Sequence, residues 1–189
     1  MTILPRDFYA RDTLVVAREL LGQVLCRSIG DVVLRGRIVE TEAYTQEDPA
    51  SHAFRGCTPR TKAMFQQPGT VYVYFIYGMY HCLNIVTDSE NYGSAVLVRA
   101  LEGLGGLSGT SGPGKLCRAM AIDLDCNGQD LTNRNGNIWV EYSTPILPKN
   151  VVQTTRVGIR RATNYPWRFY VRNNRFVSTF SSNNQTRKR

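Results

Sequence analysis

Two carboxylates and a cluster of aromatic rings are the residues of this sequence best equipped for chemistry. Glu40 and Glu42 lie near the end of the run GRIVETEAY, residues 36–44. Strict alternation along an extended strand puts Val32, Leu34, Ile38, Glu40, Glu42 and Tyr44 on one face, so an apolar face turns acidic and aromatic at its end. Burial raises the pKa of a carboxylic acid and suits it to act as a base near neutral pH. The plainer reading is an edge carboxylate neutralised by Arg35, Arg37 or Arg99, and pattern alone favours it.

The second feature is the stretch TVYVYFIYGMY, Thr70 to Tyr80, in which Tyr72, Tyr74, Phe75, Tyr77 and Tyr80 crowd together. Buried tyrosines need partners for their hydroxyls, so a purely structural use of so many is awkward. Gly78 and Met79 sit where this strand must turn into the next, which predicts Tyr77 at or near a hairpin tip. An exposed aromatic there, on a basic protein, can wedge into a base stack and fill the gap left by an extruded nucleotide. It can equally fold back onto the sheet. Alternation puts Tyr74 on the opposite face from Tyr77, one lining a pocket and the other pointing outward.

A third signature is a decoy. Gly109 to Lys115 reads G-x-x-x-x-G-K after a strand, yet Leu116 stands where a magnesium-binding hydroxyl would be needed and Pro113 removes a backbone donor. Both departures argue against nucleotide hydrolysis. What survives is a helix over Leu116–Ile122, opened by Gly114 and Lys115, whose start could hold one phosphate of a nucleic acid.

The elements that must position these residues are mostly strands. Asp12 caps a helix that stops at Gly22, with Leu14, Val15, Leu20 and Leu21 largely on one side. Strands are predicted over Gln23–Ser28, Val32–Tyr44, Thr70–Tyr77, Cys82–Thr87, Ala95–Leu101, Ile138–Tyr142, Val151–Ile159 and Trp167–Val171, from their β-branched and aromatic content and Gly, Pro, Asn or Asp boundaries. Short connections imply antiparallel pairing. The expected fold is mixed α/β of the α+β kind: one domain over residues 1–172, on a curved, mainly antiparallel sheet with a protruding β-hairpin and few helices. Residues 45–69 form a long polar connection, functional or containing short helical turns. Residues 102–114 are Gly-rich, and residues 173–189 read as a mobile basic tail.

Composition sets the remaining bounds. The chain has 189 residues and 42% hydrophobic content, enough for one core without metal or disulfide support. The five cysteines (Cys26, Cys57, Cys82, Cys117 and Cys126) are odd in number and lack a C-x-x-C pair, and two histidines are too few to complete a metal cage. Reduced thiols in an intracellular protein are the expectation. The start resembles no signal peptide, and the longest apolar run, Val71–Tyr77, is far short of the roughly 20 residues that span a bilayer. Lys and Arg outnumber Asp and Glu by 23 to 15, a net charge of +8 that favours an anionic partner.

Several of these runs recur together in one known family. GRIVETEAY, SHAFRG with His52, TPR at 58–60, YVYFIYGMYHCLN, LVRALE with Arg99 and SGPGKLCRAMAI, followed by RVGI and RFYV, resemble the alkyladenine (N-methylpurine) DNA glycosylases, the 3-methyladenine DNA glycosylase family. The order is the family's and the similarity reaches from Arg6 to about Val171. The segment Glu102–Ser111 is shorter and more Gly-rich than the family pattern, which puts one connecting helix in doubt.

The resemblance implies roles residue by residue. Glu42 would activate a water, with Arg99 holding that water or an adjoining phosphate. Tyr44, His52 and Tyr74 would pack around a flipped base, Asn84 would restrict entry to the pocket, and Tyr77 would intercalate through the minor groove. Thr58, Arg60, Met79 and Lys115 would meet the DNA backbone. Only the family register selects Glu42 over Glu40. The implied activity is monofunctional removal of 3-methyladenine, 7-methylguanine or hypoxanthine from double-stranded DNA, starting base excision repair, by a monomer with no metal and no cofactor. A lesion-binding protein without catalysis, and a carbohydrate hydrolase using Glu40 and Glu42 as a pair, are the competing readings.

Overall fold

A computed structural model describes residues 2–133 and 135–178 of the chain. Asp12 starts the main N-terminal helix as predicted, its Oδ1 accepting from Leu14 N at 2.9 Å and Val15 N at 3.0 Å. That helix, α2 (Thr13–Glu19), follows a single turn, α1 (Arg6–Tyr9), which the sequence pattern did not separate. Val16 and Ala17 turn inward to join a core with Leu20, Leu25, Ile38, Val98 and Phe169.

Eight strands make one sheet: β1 (Val24–Ile29), β2 (Val32–Tyr44), β3 (Val71–Ile76), β4 (Tyr80–Val86), β5 (Ala95–Leu104), β6 (Ile138–Glu141), β7 (Val151–Thr154) and β8 (Arg168–Val171). The order β3-β4-β5-β2-β1-β6 is antiparallel throughout, and β8 joins β7 to the outer half of β2. β2 is long enough, at 13 residues, to pair with β1 over Val32–Arg37 and with β8 over Glu40–Glu42 while β5 runs along its other edge. The result is a single domain with few helices on a curled, half-barrel antiparallel sheet, the α+β class expected.

The phase of β2 differs from strict alternation. Ile38 pairs with Leu101, Glu40 with Ala100 and Thr41 with Val98, so Val39 is an extra residue on β2 and Arg99 an extra residue on β5. The two extra residues compensate one another in register, and each shifts the side-chain alternation of its own strand by one position. Ile38 therefore belongs with Thr41 and Ala43 on the core side, where Thr41 Oγ1 donates to Ala17 O of α2 at 2.7 Å. Glu40, Glu42 and Tyr44 share the opposite side, as predicted, but without Ile38.

Other boundaries move for local reasons. The third helix, α3, spans Pro113–Ala119 rather than Leu116–Ile122, with Pro113 in the first turn, where its missing N–H costs nothing. β5 continues through Gly103 to Leu104 in the Gly-rich stretch, and position 103 has to be glycine, because Leu107 O folds so close that a Cβ there would overlap it. β7 stops at Thr154, short of the predicted Ile159, since Arg156 leaves the ladder to bury its side chain. The long connection 45–69 contains two 3-10 turns, His52–Arg55 and Lys62–Phe65, and covers a small second core of Ala53, Ala63, Met64, Tyr72, Val86 and Ala95.

From the stretch assigned to the tail, residues 173–178 lie against the sheet. Asn174 Nδ2 donates to Glu102 Oε2 at 3.2 Å, and Ser178 reaches Glu40. Residues 179–189 lie outside the described residues. All five thiols are free, four of them buried and Cys57 exposed. Burial, then the charge of Glu141, pushes the Cys26 thiol up to about 12. Among the described residues no helix is long and apolar enough to cross a membrane, and no group of three His, Cys, Asp or Glu side chains could hold a metal ion.

Candidate active site

The outer half of β2, the β3–β4 hairpin and the loop after β7 enclose a cleft of about 700 Å³. Glu42 lies immediately behind its surface, fully buried. Its Oε2 accepts from Tyr44 OH at 2.8 Å, its Oε1 accepts from Val157 N at 2.7 Å, and Arg99 Nη1 stands 3.3 Å from Oε1. Tyr44, Arg99 and Val157 all border the cleft, so each group that touches the carboxylate also touches the space beyond it. Burial, and then the charge of Glu42, hold the Tyr44 phenol well above its ordinary value. The phenol therefore stays protonated and donates.

Glu40 is also fully buried but differently used. Arg99 Nε at 2.9 Å and Arg168 Nε at 2.7 Å meet its Oε1. Burial pushes its pKa up, but the Arg99 charge, the Ser178 hydrogen bonds and Arg168 together outweigh that and hold it below the usual value. For Arg99, burial disfavours the cation, yet Glu42 and Glu40 raise its pKa above the usual guanidinium value. The sequence allowed either carboxylate as the base; the geometry gives Glu40 the part of an anchor for Arg99.

Opposite stands an aromatic wall. The His52 and Tyr74 rings meet edge-on at 4.6 Å, and Tyr72 lies 5.7 Å from Tyr74. The Tyr72 hydroxyl sits 3.0 Å from His52 Nδ1. Partial desolvation in the cleft, then the charge of Arg60, lower the His52 pKa, so the imidazole is neutral at physiological pH. Burial foremost raises the phenols of Tyr72 and Tyr74, so both remain hydroxyl groups. Asn84 is buried beneath, donating from Nδ2 to Tyr72 O at 3.1 Å, with Leu97 beside it in the cleft lining.

The hairpin tip projects over the cleft. Tyr77 and Gly78 both take left-handed conformations, φ +55° and +68°, which close a tight turn with the twist that a hairpin favours. Tyr77 is 82% exposed. Because it belongs to the turn and not to the strand, strand alternation does not set its direction. It and Tyr74 both border the cleft, Tyr74 from the wall and Tyr77 from the rim.

The structure thus gathers Tyr44, His52, Tyr74, Tyr77, Asn84, Arg99 and Lys115 around one cavity, with Glu42 directly behind. Lys115 is exposed on its rim, at the start of α3. Thr58, Arg60 and Met79 are exposed outside the lining. Thr58 is engaged with Thr61, hydroxyl to hydroxyl at 2.9 Å.

Sequence reasoning passed over several participants. Val157 contributes a backbone N–H, for which no residue type gives a signal. Arg156 is buried with Asp48 in a two-pronged ion pair, donates to Ala43 O at 2.9 Å, and stacks over Tyr44 at 4.5 Å and Trp167 at 5.2 Å. It ties the 45–69 connection to the loop that carries Val157. Tyr72 could have been found, since it shares the strand phase of Tyr74. Arg160 and Arg161, exposed in the lining, were visible as a basic pair.

Comparison with known proteins identifies the family. The family model described as methylpurine-DNA glycosylase (MPG) matches residues 7–175. A protein of Carboxydothermus hydrogenoformans is 46% identical over 93% of this chain and 98% of its own length. One of Methanoculleus marisnigri is 47% identical with the same coverages, and one of Herpetosiphon aurantiacus is 43% identical over 97% of this chain and 91% of its own. Each is provisionally designated a 3-methyladenine DNA glycosylase. With the match running from α1 past β8, the chain belongs to the methylpurine-DNA glycosylase family.

Proposed function

We propose that this DNA glycosylase is monofunctional: it turns a damaged purine nucleotide out of duplex DNA into the cleft and hydrolyses its N-glycosidic bond with water activated by Glu42. The observation that carries this reading is the carboxylate behind the aromatic cleft, held by Tyr44, Val157 N–H and the Arg99 guanidinium. A buried charge with three partners is oriented, and its remaining lone pairs can accept a proton.

The water would sit among Tyr44, Arg99 and Val157, the groups common to the carboxylate and the cleft. As its oxygen bonds to C1′, its proton passes to Glu42 and the C1′–N bond breaks toward the purine, leaving an abasic site. An alkylated purine such as 3-methyladenine or 7-methylguanine carries a positive charge and departs neutral. The faces of Tyr44 and Tyr74 attract such a cation at about 0.5–2 kcal/mol per ring, so the pocket selects damage by charge as well as by shape. Hypoxanthine lacks that charge and needs a proton on the leaving base.

His52, neutral and braced by Tyr72, would offer one ring nitrogen to the nucleotide. Asn84 would narrow the pocket, and Tyr77 would fill the place vacated in the stack. Lys115, Thr58, Arg60 and Met79 would follow the backbone. Glu40, with both oxygens already engaged, supports neither its use as the base nor a paired-carboxylate glycoside hydrolysis. The protein would work in the cell as a DNA-bound monomer.

The decisive assay incubates duplexes bearing 3-methyladenine, 7-methylguanine or hypoxanthine with the protein and measures free base and alkali-labile sites. Release of base by the wild type and its loss in Glu42→Gln, with lesion binding retained, is the expected result. Binding of lesion duplex with no base released by the wild type would make the protein a damage sensor.

A further inference from the structure

Glu40 is satisfied from an unexpected quarter. Besides the two arginines, Ser178 donates to it twice, from N to Oε2 at 2.7 Å and from Oγ to Oε1 at 2.9 Å, across 138 positions of sequence. Four donors reach the carboxylate, three of them on Oε1 and Ser178 N alone on Oε2. Half of them come from one residue, which lies beyond the span 7–175 that matches the family.

The chain leading there is shaped to deliver it. After β8 it turns at Asn173, whose φ is +56°. Asn174 Oδ1 then accepts from Phe176 N at 2.9 Å, and Val177 N returns to Asn174 O at 3.3 Å. The Asn174 side chain fastens this turn to Glu102 on β5. Ser178 arrives with its hydroxyl between two partners, because Arg99 Nη2 also lies 3.4 Å from the same Oγ.

These contacts form a line to the chemistry. Ser178 fixes Glu40, Glu40 holds Arg99 by Nε, and Arg99 presents Nη1 to Glu42 Oε1 at 3.3 Å. We infer that Ser178 is a positioning residue for base excision: it locks the Glu40–Arg99 pair in the arrangement that orients the Glu42 carboxylate, so the C-terminal arm completes the active site. This rests on the reading of Glu42 as the base. Without the arm, Glu40 Oε2 has no donor, and the carboxylate can rotate about its own side chain and carry the Arg99 fork with it. A displacement of even 1 Å in a catalytic group can cost about 100-fold in rate.

The test uses the full chain and duplex DNA methylated to contain 3-methyladenine, following released base. Ser178→Ala removes the hydroxyl, Ser178→Pro removes hydroxyl and N–H together, and Ser178→Thr restores the hydroxyl. The expected result is a kcat reduced roughly 10- to 100-fold in Ser178→Pro and less in Ser178→Ala, near wild type in Ser178→Thr, with KM within about twofold throughout. A cooperative thermal transition near that of the wild type accompanies each active comparison. If Ser178→Pro does not fold, Ser178→Ala and its rescue by Thr decide the matter alone. Wild-type kcat in Ser178→Ala and Ser178→Pro, or a fall in Ser178→Ala that Thr fails to rescue, overturns the proposal. Glu42→Gln is measured alongside: if it retains wild-type kcat, the assignment of the base fails, whereas a dead Glu42→Gln with fully active Ser178 variants removes only the role of Ser178.

Discussion

Replacing Asp48 by Asn changes one oxygen to an amide and leaves side-chain volume almost unaltered, so its effect isolates the charge that faces Arg156. Both side chains are 0% exposed, which removes solvent screening from the argument. Arg156 meets both Asp48 oxygens, and its Nε already lacks a partner among the described residues. Removing one member of a buried pair costs about 3–5 kcal/mol, and Asn keeps one acceptor, so the lower end, about 3 kcal/mol, is expected. At roughly 2–4 °C per kcal/mol for a chain of this size, the midpoint should fall by roughly 6–12 °C. Urea unfolding of wild type, Asp48→Asn, Arg156→Met and the double variant closes a cycle, in which the double variant should lose much less than the sum of the singles. Base release, measured below the transition, should also slow in all three, because the pair holds the loop that brings Val157 N–H to Glu42. A loss under about 1 kcal/mol in Asp48→Asn, or additive singles, would refute the claim that this pair clamps the loop.

Further outcomes follow from the same geometry. Tyr77→Ser should weaken capture of a lesion paired in duplex more than that of the same lesion placed extrahelically; equal losses on both substrates would end the wedge assignment. Because the Glu40 pKa is depressed in the fold, its contribution to stability is present above the unfolded carboxylate value of about 4.3 and disappears as pH falls through the lower folded value. Glu40→Gln should flatten that acid-side decline in chemical unfolding, and an unchanged slope would contradict the assignment. The depressed His52 pKa has the same sign at higher pH: stability is full above about 6.5 and declines as pH falls through the folded value, so His52→Gln should remove that component of the pH profile.

The strand content of the fold was legible because β-branched and aromatic runs bounded by Gly, Pro and Asn carry a period of two. The cap at Asp12 was legible because its cause is local. What escaped was non-local. The inversion of faces at Val39 has no sequence signal, as it exists only through the matching extra residue Arg99 on β5. Pro113 was read as a missing donor, when its fixed φ also makes it a natural helix opener. At the site, the pair Glu40 and Glu42 with Tyr44, and Tyr74 apart from them, could be picked out from residue type and spacing, whereas His52 and the choice of Glu42 over Glu40 came only from resemblance. Val157, Arg156 with Asp48, and Ser178 depend on contacts across more than 100 positions, which no window along the chain reveals.

The paired bulges leave a practical inheritance. Beyond them β2 and β5 regain their register, so the apolar layer under α2 and the polar layer beneath the cleft occupy alternate sites along the same two strands. Residues at 40, 42 and 97 can therefore be exchanged for other chemistries while 41, 43, 96 and 98 go on serving the core. The two extra residues are not equivalent. Deleting Val39 would straighten β2 while keeping Glu40 and Glu42 toward the cleft and Thr41 and Ala43 toward the core, and would leave Arg99 as a one-sided bulge on β5. Deleting Arg99 would remove the guanidinium that both glutamates meet. Residue count can therefore vary on β2 at this point, whereas the extra residue on β5 is tied to the chemistry.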